Sequence, residues 1–137
     1  MIMNTAHLIE LPRITDIRGD LSFVENMDQV PFSIKRVYWL TGVVSGAWRE
    51  GHAYRSQWEL LVALSGSFTV VSDGVEGPSL WHLDKPSDGL LMPPLTWREL
   101  HRFSANAVAL VLSSGEYAES EYVRSRDEFD ALIGRRS

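Results

Sequence analysis

The sequence predicts an all-β fold, a sandwich or barrel of short strands with one short C-terminal helix, and three observations predict it. Apolar residues recur mostly at every second position rather than every 3.6. Turn-forming residues interrupt the chain at intervals of about 8–12 residues, the spacing of antiparallel sandwiches and barrels. Only the C-terminus carries a helix start signal.

Taken in order, the predicted strands are Leu21–Glu25, Ile34–Leu40, Glu59–Leu64, Ser67–Ser72, Leu80–Leu83, Leu90–Met92 and Ala107–Leu112, all rich in Val, Leu and aromatics. Between them stand Arg18-Gly19-Asp20, Thr41-Gly42, Ser65-Gly66, Asp73-Gly74, the run from Asp84 to Gly89, and Pro93-Pro94. These are turn formers because Gly reaches positive φ, Pro fixes φ and Asp or Ser bonds its own backbone. Ser125-Arg126-Asp127-Glu128 has the capping-box arrangement ahead of Phe129, Leu132 and Ile133, which places the helix.

The chain has 137 residues, 45% hydrophobic and 23% charged, with a formal net charge of −5 and no cysteine. One domain spanning 1–137 is expected, large enough to hold a core without disulfides or a structural metal. The lack of cysteine excludes thiolate nucleophiles, Cys-based zinc sites and iron–sulfur clusters, leaving imidazoles, carboxylates and hydroxyls for chemistry. Thirteen basic residues against eighteen acidic ones argue against a nucleic-acid partner, which needs a basic face. The longest apolar run, Leu60 to Leu64, is far below the roughly 20 residues of a membrane helix. Residues 1–11 lack a basic flank followed by an apolar segment, so no membrane association and a cytoplasmic location are expected.

Gly46, five residues, His52-Ala53-Tyr54, four residues, Glu59, six residues and Gly66 form a spaced motif. It resembles the first motif of the cupin superfamily at every position but one, since Tyr54 stands where a metal-binding cupin has its second histidine. If the segment is extended, His52 and Tyr54 point to the same face and share one pocket. Counting from Gly89, the second-motif histidine position falls on Leu100, so two of four metal ligands are missing and no metal or other cofactor is expected. His101 would enter that register only through a one-residue bulge.

A narrower resemblance runs in order from about Ile9 to Phe129. Arg18-Gly19-Asp20-Leu21-Ser22, the run from Pro31 to Tyr38, Arg49-Glu50-Gly51-His52-Ala53, the run from Leu64 to Val70, the run from Pro93 to Glu99, and Tyr122 to Phe129 are similar to the dTDP-4-keto-6-deoxyhexose 3,4-ketoisomerases, the WxcM-like sugar isomerases. The resemblance implies a small cupin barrel of the jelly-roll (RmlC-like) type. It also implies a homodimer with exchanged N-terminal strands, a dTDP-linked keto-deoxy sugar as substrate, and no metal requirement.

Moving a ketone from C4 to C3 requires removal of the C3 proton, stabilisation of an enediolate and protonation at C4, so a positioned acid–base group is needed. Imidazole titrates near neutrality. Both histidines of the family's His-Ala-His lie at the active site; this chain keeps the first as His52, and Tyr54 replaces the second, the stronger candidate for the base. Three outcomes follow: His52 shuttles alone, a Tyr54 activated by Arg49, Arg55 or Arg98 replaces the lost imidazole, or the chain is a non-catalytic sugar-nucleotide-binding cupin. A metal-dependent cupin dioxygenase is a further class, which predicts a bound divalent ion.

Other candidates are substrate-binding groups. Arg49, Lys35, Arg36 and Arg98 suit the diphosphate or the enediolate, and alternation lets at most one of Lys35 and Arg36 face the pocket. Arg18 is a candidate to reach the pocket across the dimer. Tyr38 offers a hydroxyl, and Glu59 is a candidate to orient His52. Trp97, in a matched segment, is a candidate stacking platform for thymine, and the other four tryptophans are assigned to core or interface. His7 and His82 are assigned structural or surface roles.

Overall fold

Residues 5–44 and 49–135 are described by the structure, a computed structural model, and within them the two-residue alternation builds twelve strands, a 3-10 turn and one helix. The strands are β1 (His7–Glu10), β2 (Arg13–Asp16), β3 (Gly19–Ser22), β4 (Arg36–Leu40), β5 (Arg49–Tyr54), β6 (Glu59–Ser65), β7 (Phe68–Gly74), β8 (Gly77–Leu83), β9 (Asp88–Met92), β10 (Trp97–His101), β11 (Val108–Ser113) and β12 (Tyr122–Val123). Helix α1 (Arg126–Leu132) follows β12.

Two five-stranded sheets, ordered β1-β9-β6-β11-β4 and β12-β5-β10-β7-β8, face one another, and β2 and β3 form a separate hairpin. All pairings are antiparallel. The core between the sheets is built from inward residues of both, including Leu61, Met92 and Val111 of the first and Phe68, Val70 and Leu83 of the second. A second apolar layer lies on the far side of the first sheet, where Val30 and Phe32 cover Leu60, Val62 and Leu112. Central strand β6 is therefore buried on both faces from Glu59 to Ala63, which is why Leu60 to Ala63 reads as an unbroken apolar run rather than an alternation.

The expected strands are present with shifted ends. The one placed at Leu21–Glu25 begins at Gly19 and stops at Ser22, because the following chain leaves the hairpin to bury Val24, Val30 and Phe32 on the first sheet. The turn of the β2–β3 hairpin is Ile17-Arg18, with Gly19 at φ 129°, a conformation open to glycine. Strands β1, β2, β5, β10 and β12 were not among the predicted runs. Their short lengths or interposed charges break the apolar signal. The helix starts as expected: the Ser125 side chain accepts the Glu128 N–H at 3.2 Å, and Phe129 is buried.

Candidate functional site

Strand β5 lies between β10 and β12, and its alternation sorts its side chains cleanly. Gly51 and Ala53 face outward, where Ala53 packs with Trp97, Val123 and Phe129. A Cβ on Gly51 would stand 2.6 Å from the Trp97 indole, so only glycine admits that ring. His52 and Tyr54 face inward and line the same cavity. Across the ladders Arg98 is paired with His52 and Tyr122 with Tyr54. Tyr38 and Glu59 approach from the first sheet. The cavity measures about 460 Å³ and opens to solvent, with Leu40, Leu61, Leu100 and Val111 as its apolar wall.

Tyr122 is held in place from outside the cavity. The Glu121 carboxylate accepts the backbone N–H groups of Ser56 and Gln57 at 2.9 and 3.1 Å, and Arg55 N–H bonds the Glu121 carbonyl. These bonds tie the corner after β5 to β12 and bring the two tyrosine hydroxyls together. Tyr54 donates to Tyr122 at 3.2 Å, and the hydroxyls of Tyr38 and Tyr54 are 3.4 Å apart. His52 sits against both rings, with centroids 5.1 Å from Tyr54 and 5.3 Å from Tyr122. Arg124 covers Tyr122 from the rim at 4.2 Å and bonds Glu119.

Beneath the phenols lies a buried ion pair. Arg98 donates to Glu59 at 2.7 Å with side-chain exposures of 1% and 2%, and Tyr38 donates to the other carboxylate oxygen at 2.7 Å. Arg36 approaches that oxygen to 3.6 Å and bonds Gln57. Burial raises the Glu59 carboxyl above its ordinary range, while Arg98 and Tyr38 pull the other way. Tyr54 is pushed well above the usual phenol value by burial and by the Glu59 charge, and the opposing effect of Arg98 is smaller. Tyr38 is raised by the same two causes. Both are neutral phenols across physiological pH. An ionised Tyr54 acting as base does not fit this environment; a hydrogen-bond donor does.

The remaining sequence candidates are spread out. Arg36 turns toward the tyrosines, 5.2 Å from the Tyr38 ring centroid, while Lys35 is exposed just ahead of β4. Arg18 is exposed on the hairpin and paired with Asp16 at 2.6 Å. Arg55 points away to Glu128 and the Ser120 carbonyl. Trp97 lies on the outer face, donating to Glu99 at 2.9 Å, and Trp39, Trp58 and Trp81 do not line the cavity either. The side chain of Arg49, with Gly46 and Trp48, lies outside the described residues. The β5–β10 register does shift between Arg98 and Leu100, yet Leu100 stays in the cavity wall and His101 bonds Glu99 outside it. Among the described residues no three His, Asp or Glu side chains cluster as a metal site, and both Glu59 oxygens are engaged by Arg98 and Tyr38. Tyr122 and Arg124 were missed as site residues; the only sequence signal for them was their place in the matched Tyr122 to Phe129 segment.

Comparison with known proteins places this geometry among sugar isomerases. The family model described as "FdtA: WxcM-like, C-terminal" matches residues 4–134. The TDP-4-oxo-6-deoxy-alpha-D-glucose-3,4-oxoisomerase of Aneurinibacillus thermoaerophilus is 37% identical over 93% of this chain and 92% of its own. Among solved structures, the 3,4-ketoisomerase QdtA of Thermoanaerobacterium thermosaccharolyticum in complex with TDP superposes with a TM-score of 0.91 at 34% identity, covering 98% of this chain and 97% of its own. A variant of the same enzyme holds TDP-4-keto-6-deoxyglucose, with a TM-score of 0.91 at 33% identity over 97% and 96% of the two chains.

Proposed function

This chain belongs to the FdtA, WxcM-like family, and on that premise we propose that it is a 3,4-ketoisomerase acting on a TDP-linked 4-keto-6-deoxy sugar. The observation that carries the reading is His52, the one imidazole among the described residues lining a cavity otherwise walled by phenols, a buried ion pair and apolar side chains. Its partly exposed ring is placed to take the C3 proton and return it at C4, and imidazole, which titrates near neutrality in water, is suited to both directions of transfer. The phenol hydroxyls of Tyr54 and Tyr122 and the Arg98 guanidinium supply donors and positive charge for the enediolate that intervenes. Arg36, Arg49 and Arg124 are the candidates for the diphosphate, with Tyr38 and Glu59 positioning the reacting end. TDP in a related structure supports the nucleotide assignment.

The functional unit in this reading is a homodimer with exchanged N-terminal strands. The β2–β3 hairpin pairs only with itself and exposes Ile14, Ile17 and Leu21, while the first sheet exposes Val37, Trp39 and Leu64 on its outer side. A second copy would cover these surfaces and carry Arg18 toward a neighbouring cavity; Lys35 and Trp97 are left to its periphery. None of the chain's helices is long and apolar enough to cross a membrane among the described residues, and a nucleotide-sugar substrate fits a cytoplasmic setting.

The test is incubation with TDP-4-keto-6-deoxyglucose in deuterated water, followed by NMR. Deuterium should enter at sugar carbon and the 3-keto product should form. His52→Asn should lower both by about 10²–10⁴-fold. Tight TDP binding with no label in any keto sugar overturns the enzyme reading in favour of a binding protein.

A further inference from the structure

Ketone migration moves two protons, and His52 accounts for only one of them. Breaking C3–H and making C4–H is the carbon transfer; breaking O3–H and making O4–H is a second transfer, between two oxygens. Adjacent oxygens on a planar enediol stand about a hydrogen-bond length apart. The Tyr54 and Tyr122 hydroxyls form a matching pair at 3.2 Å on the cavity wall, both in ring contact with His52.

We propose that Tyr54 and Tyr122 form a proton relay that carries the O3 proton to O4 while His52 handles the carbon-bound proton. The inference rests on the ketoisomerase reading and deepens it. In the relay the Tyr122 O–H gives its proton to O4, Tyr54 gives its proton to the Tyr122 oxygen, and the O3–H proton passes to the Tyr54 oxygen. Three O–H bonds break and three form, each phenol ends neutral, and no co-reactant is consumed.

The hydrogen-bond polarity around the pair fits this direction. Tyr38 commits its proton to Glu59 at 2.7 Å, and that carboxylate is fixed on its other side by Arg98. Tyr54 donates onward to Tyr122, which leaves the Tyr122 O–H for the cavity. Burial and the Glu59 charge keep Tyr54 protonated, the state a relay needs. The backbone pairing of Tyr54 with Tyr122 and the Glu121 clamp hold the two oxygens at this spacing. A phenol at position 54 thus does work different from that of a base: it accepts and donates at once.

The experiment compares wild type, Tyr122→Phe and Tyr54→Phe in deuterated water, measuring deuterium entry at C3 of recovered substrate alongside formation of the 3-keto product. Each variant keeps its aromatic ring. With the relay cut, C3 deprotonation by His52 continues but the enediolate returns to substrate. Product formation should fall by roughly 10²-fold, and the ratio of C3 exchange to product should rise at least about tenfold in both variants. His52→Asn should lose exchange and product together. A proportional fall of exchange and product in the tyrosine variants, or wild-type turnover in Tyr122→Phe, overturns the relay and leaves the ketoisomerase reading standing. A wild-type protein that neither exchanges nor isomerises removes that reading, and the relay with it.

Discussion

Arg98 and Glu59, expected from the sequence to bind substrate and to orient His52, instead form a buried ion pair of the cavity. Removing two ions from water is costly, and the contact persists because each partner neutralises the other and Tyr38 and Thr96 supply further hydrogen bonds. Arg98→Met leaves the Glu59 carboxylate buried without its principal cation and should lower stability by about 3–5 kcal/mol in urea unfolding. The double variant Arg98→Met with Glu59→Leu should recover most of that loss, because no isolated charge remains. Similar losses in single and double variants would show that the pair is not what the single variant disrupts. The choice of Tyr54 was visible in the sequence; its protonation state was not, because that depends on its burial in the folded chain and on the Glu59 charge reaching it from another strand.

At the scale of elements, β5 is positioned by what packs on its outer face. Gly51 and Ala53 lie under Trp97, which also meets Phe129 of α1 at 5.7 Å between ring centroids. The C-terminal helix therefore supports β5 from behind. It is pinned to the second sheet by Asp73 of β7, which bonds Arg126 and, at 2.7 Å, Arg135. Burial tends to raise the Asp73 carboxyl, but the Arg135 hydrogen bond and the Arg126 charge outweigh it and hold the pKa below the ordinary value. A depressed folded-state pKa means stabilisation that is complete above the ordinary aspartate range and is lost as pH falls through the lowered value. Asp73→Asn should lower the melting temperature at pH 7, and its gap from wild type should close as the pH drops below about 3.8. A gap that persists unchanged at pH 2.5 would argue against an electrostatic origin. The Ser125 cap of α1 could be read directly from the sequence, since capping is a contact within four residues, whereas the Asp73 anchor joins residues more than fifty positions apart.

For the whole molecule, the hairpin of β2 and β3 is the element least explained by a single chain. All eight of its strand residues are exposed, and an isolated two-stranded hairpin is marginally stable in water. Beside the first sheet runs an apolar groove of about 600 Å³ that includes Val37, Leu64 and Leu110. In the proposed dimer a second copy would cover both features. Light scattering should give twice the chain mass, and Ile14→Asp with Ile17→Asp should shift the protein toward monomer. A wild-type monomer at micromolar concentration contradicts the dimer.

The sequence by itself determined the all-β class, most strand positions, the helix cap, the pairing of His52 with Tyr54 on one face, and the family. Each is a matter of alternation, short-range hydrogen bonding or ordered motifs, all of which are written along the chain. Tertiary structure alone decided that Tyr122 stands beside Tyr54, that Arg98 neutralises Glu59, and that Trp97 lies outside the cavity. Those outcomes depend on which strands become neighbours and on how far charges reach across a water-poor interior, and neither distance is set by separation in sequence.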